Sequence, residues 1–420
     1  MRFTEYVVLE RAAQATDPLG FRRPGGALQD LLFPQFTVLT LHPAYLSALC
    51  CFLLQLQDRP NQAKFARDFR ELELLWGIGN ASVETSIINV TKYRELCGDD
   101  IRLGKIPARH PIFARLSYGT LGHYSSVAMR WNLTDKSGRN VSRHGRALGE
   151  GFAGRRRSGP TLDEQLQAWT RDEVITMEQV GEIGRSFGIQ AEASARERQT
   201  WQDVIDDWCR RVPDTAVLWR RPLDPSLMPA QAQDAASYRQ VFPKLEAFYP
   251  ELIPELGAMY RFERLAAATQ FVFELHLAAL ELGDKFADAG PSEPDAFAAL
   301  VVDTAQDYVR AGSRFHDARN LFMSIARGKP TYAALKRCII DHHKEHQSAK
   351  GTSAIVDHDK FLVSGRVEPK TMQDALDDIA GVGDMTECLD RLQSRYRRDW
   401  HFDKCRRWHD WADGKQEVQA

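Results

Sequence analysis

The sequence predicts a mainly α protein, a multi-helix chain with winged-helix-like units and small β-hairpins. Three observations carry this reading. Apolar residues recur at spacings of three and four through most of the chain, and alternating runs are few and short. One stretch, 112 to 153, orders its parts as helix, turn, short extended arm and capped helix. At 420 residues the chain exceeds one ordinary core and suggests two or three domains. Glycine, proline and charge breaks place them at 1–155, 160–290 and 291–420, with "GFAGRRRSGP" (151–160) as the clearest joint and the proline-rich 212–230 as a weaker one.

From the N-terminus, the first strong signal is "LLFPQFTVLTLHPAYLSALCCFLLQLQ", 31 to 57, which contains no Asp, Glu, Lys or Arg. Pro34, Gln35, Thr37, Thr40, His42 and Pro43 interrupt it. What remains, Ala44 to Leu54, is the length of a buried core helix and not of a membrane span, which needs roughly 20 apolar residues. Pro43 suits a helix start. Residues 64 to 78 place Phe65, Phe69, Leu72 and Trp76 on one stripe. Residues 261 to 288 read as a helix buried on most sides, 288 to 296 as a loop, and 296 to 311 and 331 to 346 as amphipathic helices. Short strands at 353–356 and 361–364 flank the turn "DHDK" as a hairpin.

In the stretch 112 to 153 an apolar helix ends near Trp131, "DKSG" makes a turn, and Ser142 stands as N-cap of a short helix carrying Leu148 and Phe152. This is the order of parts at the end of a winged-helix domain, which lays one helix in the major groove and its wing on the backbone. Cations lie where that geometry needs them: Arg130, Arg139, Arg143, Arg146, Arg155, Arg156 and Arg157. Lys350 and Lys360 occupy the corresponding helix end and hairpin tip near the C-terminus. Phosphate binding needs a patch of this kind rather than a motif, and winged helices also serve as protein-docking modules. The formal net charge of −2 excludes a uniformly basic protein, so any such surface is local. In 391 to 414, arginines alternate with Tyr396, Trp400, Phe402, Trp408 and Trp411. That pattern serves single-strand stacking or an amphipathic helix docked on the body.

Three enzyme patterns compete. His342, Glu345 and His346 spell H-x-x-E-H, with two histidines on one helical face as paired metal ligands would be. The pattern supplies no third ligand, so no metal and no cofactor are expected. Arg-x4–6-His, the helical ribonuclease signature, fits Arg337 to His342, Arg310 to His316 and Arg139 to His144, about as often as chance allows. Asp357 or Asp359 with Glu368-Pro369-Lys370 offers a metal-dependent nuclease core within 341–370, but it requires converging strands, and Pro369 interrupts one of them.

Seven cysteines without a C-x-x-C pair suggest a reducing compartment, and the N-terminus has no signal-peptide core, so a cytoplasmic protein without membrane attachment is expected. "LGFRRPGGALQDLLFPQFTVLTLHPAYLSALCCFLLQL", "RFERLAAATQFVFELHLAAL" and "HQSAKGTSAIVDHDKFLV" together resemble a family of bacterial proteins from phage-defence islands, encoded beside helicases and phospholipase-like nucleases. That family has no established catalytic residues. The resemblance implies a subunit of a multi-protein anti-phage or DNA-processing system. The expected partners are nucleic acid, DNA in the first place, and the other subunits. A nuclease is the alternative.

Overall fold

The computed structural model describes residues 17–37, 42–57, 61–83, 90–98, 100–102, 106, 120–155, 174–222, 227, 238–311, 319–352, 354–357, 360–361, 369–396 and 401–415. The protein is mainly helical, as the apolar spacing predicts. It divides into two units, Met1–Leu32 with Asp224–Trp400, and Phe33–Leu223 with His401–Ala420. These are not the three consecutive segments read from composition. Glycine and proline mark turns, whereas domain membership follows packing between segments far apart in sequence.

The first unit is built on the Ile253–Leu282 helix, 30 residues long and buried along most of its length. The Arg22–Leu32, Tyr238–Phe248, Pro294–Arg310, Tyr332–Ala349, Pro369–Ile379 and Met385–Arg395 helices all pack on it. The stretch Pro250–Leu282 is long and apolar enough to cross a membrane, with a mean hydropathy of 1.3, but those neighbours cover 67% of its apolar window. A hub helix has the same composition as a span because every side of it meets apolar partners. Part-buried polar groups along it are tied together. The Tyr396 hydroxyl donates to Glu274 Oε2 at 2.7 Å and Gln270 Nε2 donates to Glu274 Oε1 at 2.6 Å. Burial, then the Glu274 carboxylate, pushes the Tyr396 phenol far up, so it stays protonated and keeps donating. Thr331 caps the Tyr332–Ala349 helix by accepting from Ala334 N–H, and a two-residue antiparallel pairing, Val356–Asp357 with Lys360–Phe361, follows it.

The second unit is centred on the Ala44–Gln55 helix, in which Ala44 through Leu53 are all buried. The uncharged run is therefore core here. On it pack the Gln62–Ser82, Thr120–Arg130 and Arg143–Ala153 helices. The Met177–Phe187 helix lies along Gln62–Ser82, joined by the Trp76 indole N–H to Phe187 O at 2.8 Å. The Ala195–Arg211 helix lies along Arg143–Ala153, and the Phe402–Ala412 helix closes on it. Four of these starts are capped by side chains: Asn61, Ser142, Thr176 in a reciprocal box with Gln179, and Ser194. Aromatic rings fill the space between. Trp131 sits within 5.0–5.8 Å, centroid to centroid, of Trp201, Trp208, Trp219 and Trp408. Phe402 and Trp408 of the C-terminal set thus dock on the body of this unit, and Trp400 lies outside the described residues. Trp408 and Phe402 are buried, and among the described residues none of the exposed large apolar side chains, Leu31, Met129 and Ile253, is aromatic.

Leu49 has no exposed surface. Leu49→Asp is expected to cost on the order of 4 kcal/mol or more, an unpaired charge in an apolar core. The check is thermal melting and soluble yield. Unchanged melting would show that this helix is not core.

Candidate nucleic-acid interface

The segment 131 to 155 builds one exposed cationic edge. Trp131 ends the Thr120–Arg130 helix, and Asn132 turns the chain at φ 58°. Thr134 and Val141 then bridge antiparallel, and Ser142 N–H donates to Leu133 O at 2.8 Å. The loop between them is organised by Asp135. Its carboxylate accepts from the Ser137 hydroxyl at 2.6 Å, Asn140 Nδ2 at 2.7 Å and Ser137 N–H at 3.0 Å. Those bonds, the Ser137 hydroxyl first and then Asn140, hold its pKa down to about 2. The turn and the Ser142 cap foreseen in the sequence are both present, with the Ser142 hydroxyl accepting from Gly145 N–H at 3.1 Å. In place of a regular wing there is a single bridge.

The Arg143–Ala153 helix turns Gly145, Leu148, Gly149, Gly151 and Phe152 inward. A Cβ on Gly149 would stand 2.9 Å from backbone atoms of Cys50 and Cys51, so only glycine allows the helix this close to Ala44–Gln55. The opposite face carries Arg143 and Arg146, both exposed. Lys136 and Arg139 on the loop are exposed as well. Arg139 lays its guanidinium 5.1 Å from the Phe65 ring centroid, and Arg146 donates to Gln57 Oε1 at 3.2 Å. Among the described residues none of these four cations is in an ion pair with a carboxylate. Glu150, one turn further on, is engaged by Arg196.

Two other expected contacts have different work. Arg130 is part-buried and donates to Pro34 O and Phe36 O, fixing the turn that leads toward the Ala44–Gln55 helix. Arg155 corrects the expectation of an exposed phosphate ligand. Its Nε and one terminal nitrogen bind both oxygens of Glu197 at 2.7 and 2.9 Å, the other donates to Gly188 O at 2.7 Å, and neither side chain of the pair is exposed. The guanidinium lies over Phe152 at 4.4 Å. Arg156 and Arg157 lie outside the described residues. Lys350 is exposed at the end of the Tyr332–Ala349 helix, in the other unit. Of Lys360 the backbone is described, in register with Asp357.

The enzyme patterns fare as follows. Glu345 is exposed, while His342 is turned to the main chain, its Nε2 donating to Leu19 O at 3.1 Å, with the His346 ring stacked 5.9 Å away. No group of three or more His, Cys, Asp or Glu that could hold a metal occurs among the described residues. Asp359 and Glu368 lie outside them, and Pro369 and Lys370 open a helix instead of entering a strand. Arg310 is paired with Asp307, and His316 lies outside the described residues. Sequence reasoning passed over Lys136, whose signal was its place in the same turn, and Glu197, which sits in the first turn of its helix without marking its distant partner.

No protein-family model matches the chain, and no match was found among curated proteins or solved structures.

Arg155→Ala is expected to destabilise the protein by about 3–5 kcal/mol, because it leaves Glu197 charged and buried. Arg143→Ala is expected to shift stability by under about 0.5 kcal/mol. Urea unfolding of both variants is the check. Equal, small effects would mean that Arg155 is not the internal partner of Glu197.

Proposed function

We propose that this chain is a non-catalytic nucleic-acid-binding subunit of a multi-protein assembly, placed by its family resemblance in bacterial anti-phage defence or DNA processing. The observation that carries the reading is the set of four exposed cations, Lys136, Arg139, Arg143 and Arg146, on a stiffened loop and the helix start that follows it. Backbone phosphates are what such a set fits. Arginine forks bind phosphate oxygens, the first turn of a helix favours an anion, and neither needs a base edge. Stacking on single strands needs exposed aromatic planes, and the aromatics next to this edge are buried, Phe65 among them. Duplex DNA is therefore the preferred ligand, bound without sequence preference. A protein-docking role for the same edge is the competing scaffold reading.

Replacing Arg139, Arg143 and Arg146 together by Ala tests this. Each phosphate contact releases about 0.9 of a counterion, so the slope of log K against log salt should flatten by up to about three units. The loss should be equal on two unrelated duplexes. Fluorescence anisotropy at several salt concentrations reads both. No binding by the parent protein at low salt, or an unchanged slope, leaves docking of a partner protein as the role of this edge.

A further inference from the structure

The histidine-rich helix of the first unit does something the proposed function does not use. It holds the turn Asp17–Phe21 by its main chain. His343 is the centre of that contact and has no exposed surface. Its Nδ1 donates to Pro18 O at 2.8 Å, and its Nε2 accepts from Ile355 N–H at 2.8 Å. One ring thus ties the N-terminal segment to the chain that leads into the Val356–Asp357 strand. Only a neutral imidazole with its proton on Nδ1 can make both bonds. Gln347 Nε2 adds a second donor to Pro18 O at 3.2 Å, and His342 takes Leu19 O. Gly20, at φ +75°, lies so close to His346 that a Cβ would stand 2.7 Å from its Cε1. Phe21 then anchors the segment between Phe322 and Phe262, at 5.8 and 6.2 Å.

We propose that this junction is an acid-opened clasp: it joins the 17–21 segment and the chain at 355–357 to the Tyr332–Ala349 helix while its histidines are neutral, and parts when His343 is protonated. A proton on Nε2 would turn that nitrogen from acceptor to donor facing the Ile355 N–H. It would also put a charge in a site without exposed surface. Around the flanking rings, His342 and His346, charges pull in both directions. Asp17 favours a proton on His346 and Glu345 favours one on His342, but Lys350 opposes the first and a charged His346 opposes the second. Burial is the largest influence on both rings and lowers both. The sign follows. The unfolded chain, with histidines near 6.5, binds more protons than the folded one, so the clasp's stability is intact above about pH 6.5 and falls as pH drops below it.

Hydrogen exchange of the full chain at pH 7.5 and pH 5.0, corrected for intrinsic rates, tests the clasp. Peptides covering 17–21 and 355–357 are expected to lose protection at least tenfold at pH 5.0, while 44–55 keeps its own. His343→Gln, which can donate and accept without titrating, is expected to abolish the difference, and Gly20→Ala to expose 17–21 already at pH 7.5. Nitrogen shifts of the parent protein's His343 supply a reading independent of whether the variants fold. They should show the Nδ1–H tautomer and a titration midpoint that coincides with loss of Ile355 protection. Protection persisting to pH 5.0, or a His343 that titrates while Ile355 stays protected, would overturn the proposal.

Discussion

The second unit depends on the Arg155–Glu197 pair, because three helix ends meet there. Arg155 follows the Arg143–Ala153 helix, Glu197 lies in the first turn of the Ala195–Arg211 helix, and Gly188, whose carbonyl takes the third bond, ends the Met177–Phe187 helix. The Ser194 hydroxyl adds a bond to Gly151 O at 2.7 Å while it caps Glu197 N–H. Two charges withdrawn from water are tolerated only when the fork geometry is complete, and here both carboxylate oxygens are met. The carboxylate also gains from the positive end of its own helix. The contact therefore fixes direction more than it adds stability: with the pair complete, the helices can meet at this point in one arrangement.

That arrangement decides where Arg143, Arg146 and Arg155 stand. The helix is pinned at its C-terminal end, and its glycine face lies against the backbone of Ala44–Gln55. Arg143 and Arg146 are left on its exposed side. Much of this was legible in the sequence. The spacing of Phe65, Phe69 and Trp76, the Ser142 cap and the turn before it are local signals, set by neighbours within four residues, and the structure contains them. The fate of Arg155 was not legible, because its carboxylate lies 42 positions away. Nor was the division into units. The Arg22–Leu32 helix packs on a helix more than two hundred residues later, and composition along the chain carries no trace of that pairing.

The histidine helix shows the same limit from the chemical side. H-x-x-E-H is a statement about one helix face, while a metal site is a statement about what converges on that face from elsewhere. Here the main chain of 17–20 converges, and the histidine with the most exacting environment, His343, stands outside the pattern. A buried ring that must donate with one nitrogen and accept with the other is as specified as a metal ligand, but for a conformational reason.

The patch itself must work inside a chain whose charges nearly cancel. Screening explains how it can. At physiological ionic strength the Debye length is about 8 Å, so distant acids contribute little to the potential over residues 136 to 146. Two acids lie close to the patch: Glu150, engaged by Arg196, and Asp135, ionised down to about pH 2 and seated in the same loop. The oxygens of Asp135 are occupied by Ser137 and Asn140, so it shapes the loop and does not recruit an arginine. With Glu150 engaged by Arg196 and Asp135 held by its own loop, Lys136, Arg139, Arg143 and Arg146 leave a small positive edge. Under the function proposed above, a surface of that size would be one contact among several, because linkage to further contacts raises the effective concentration of each.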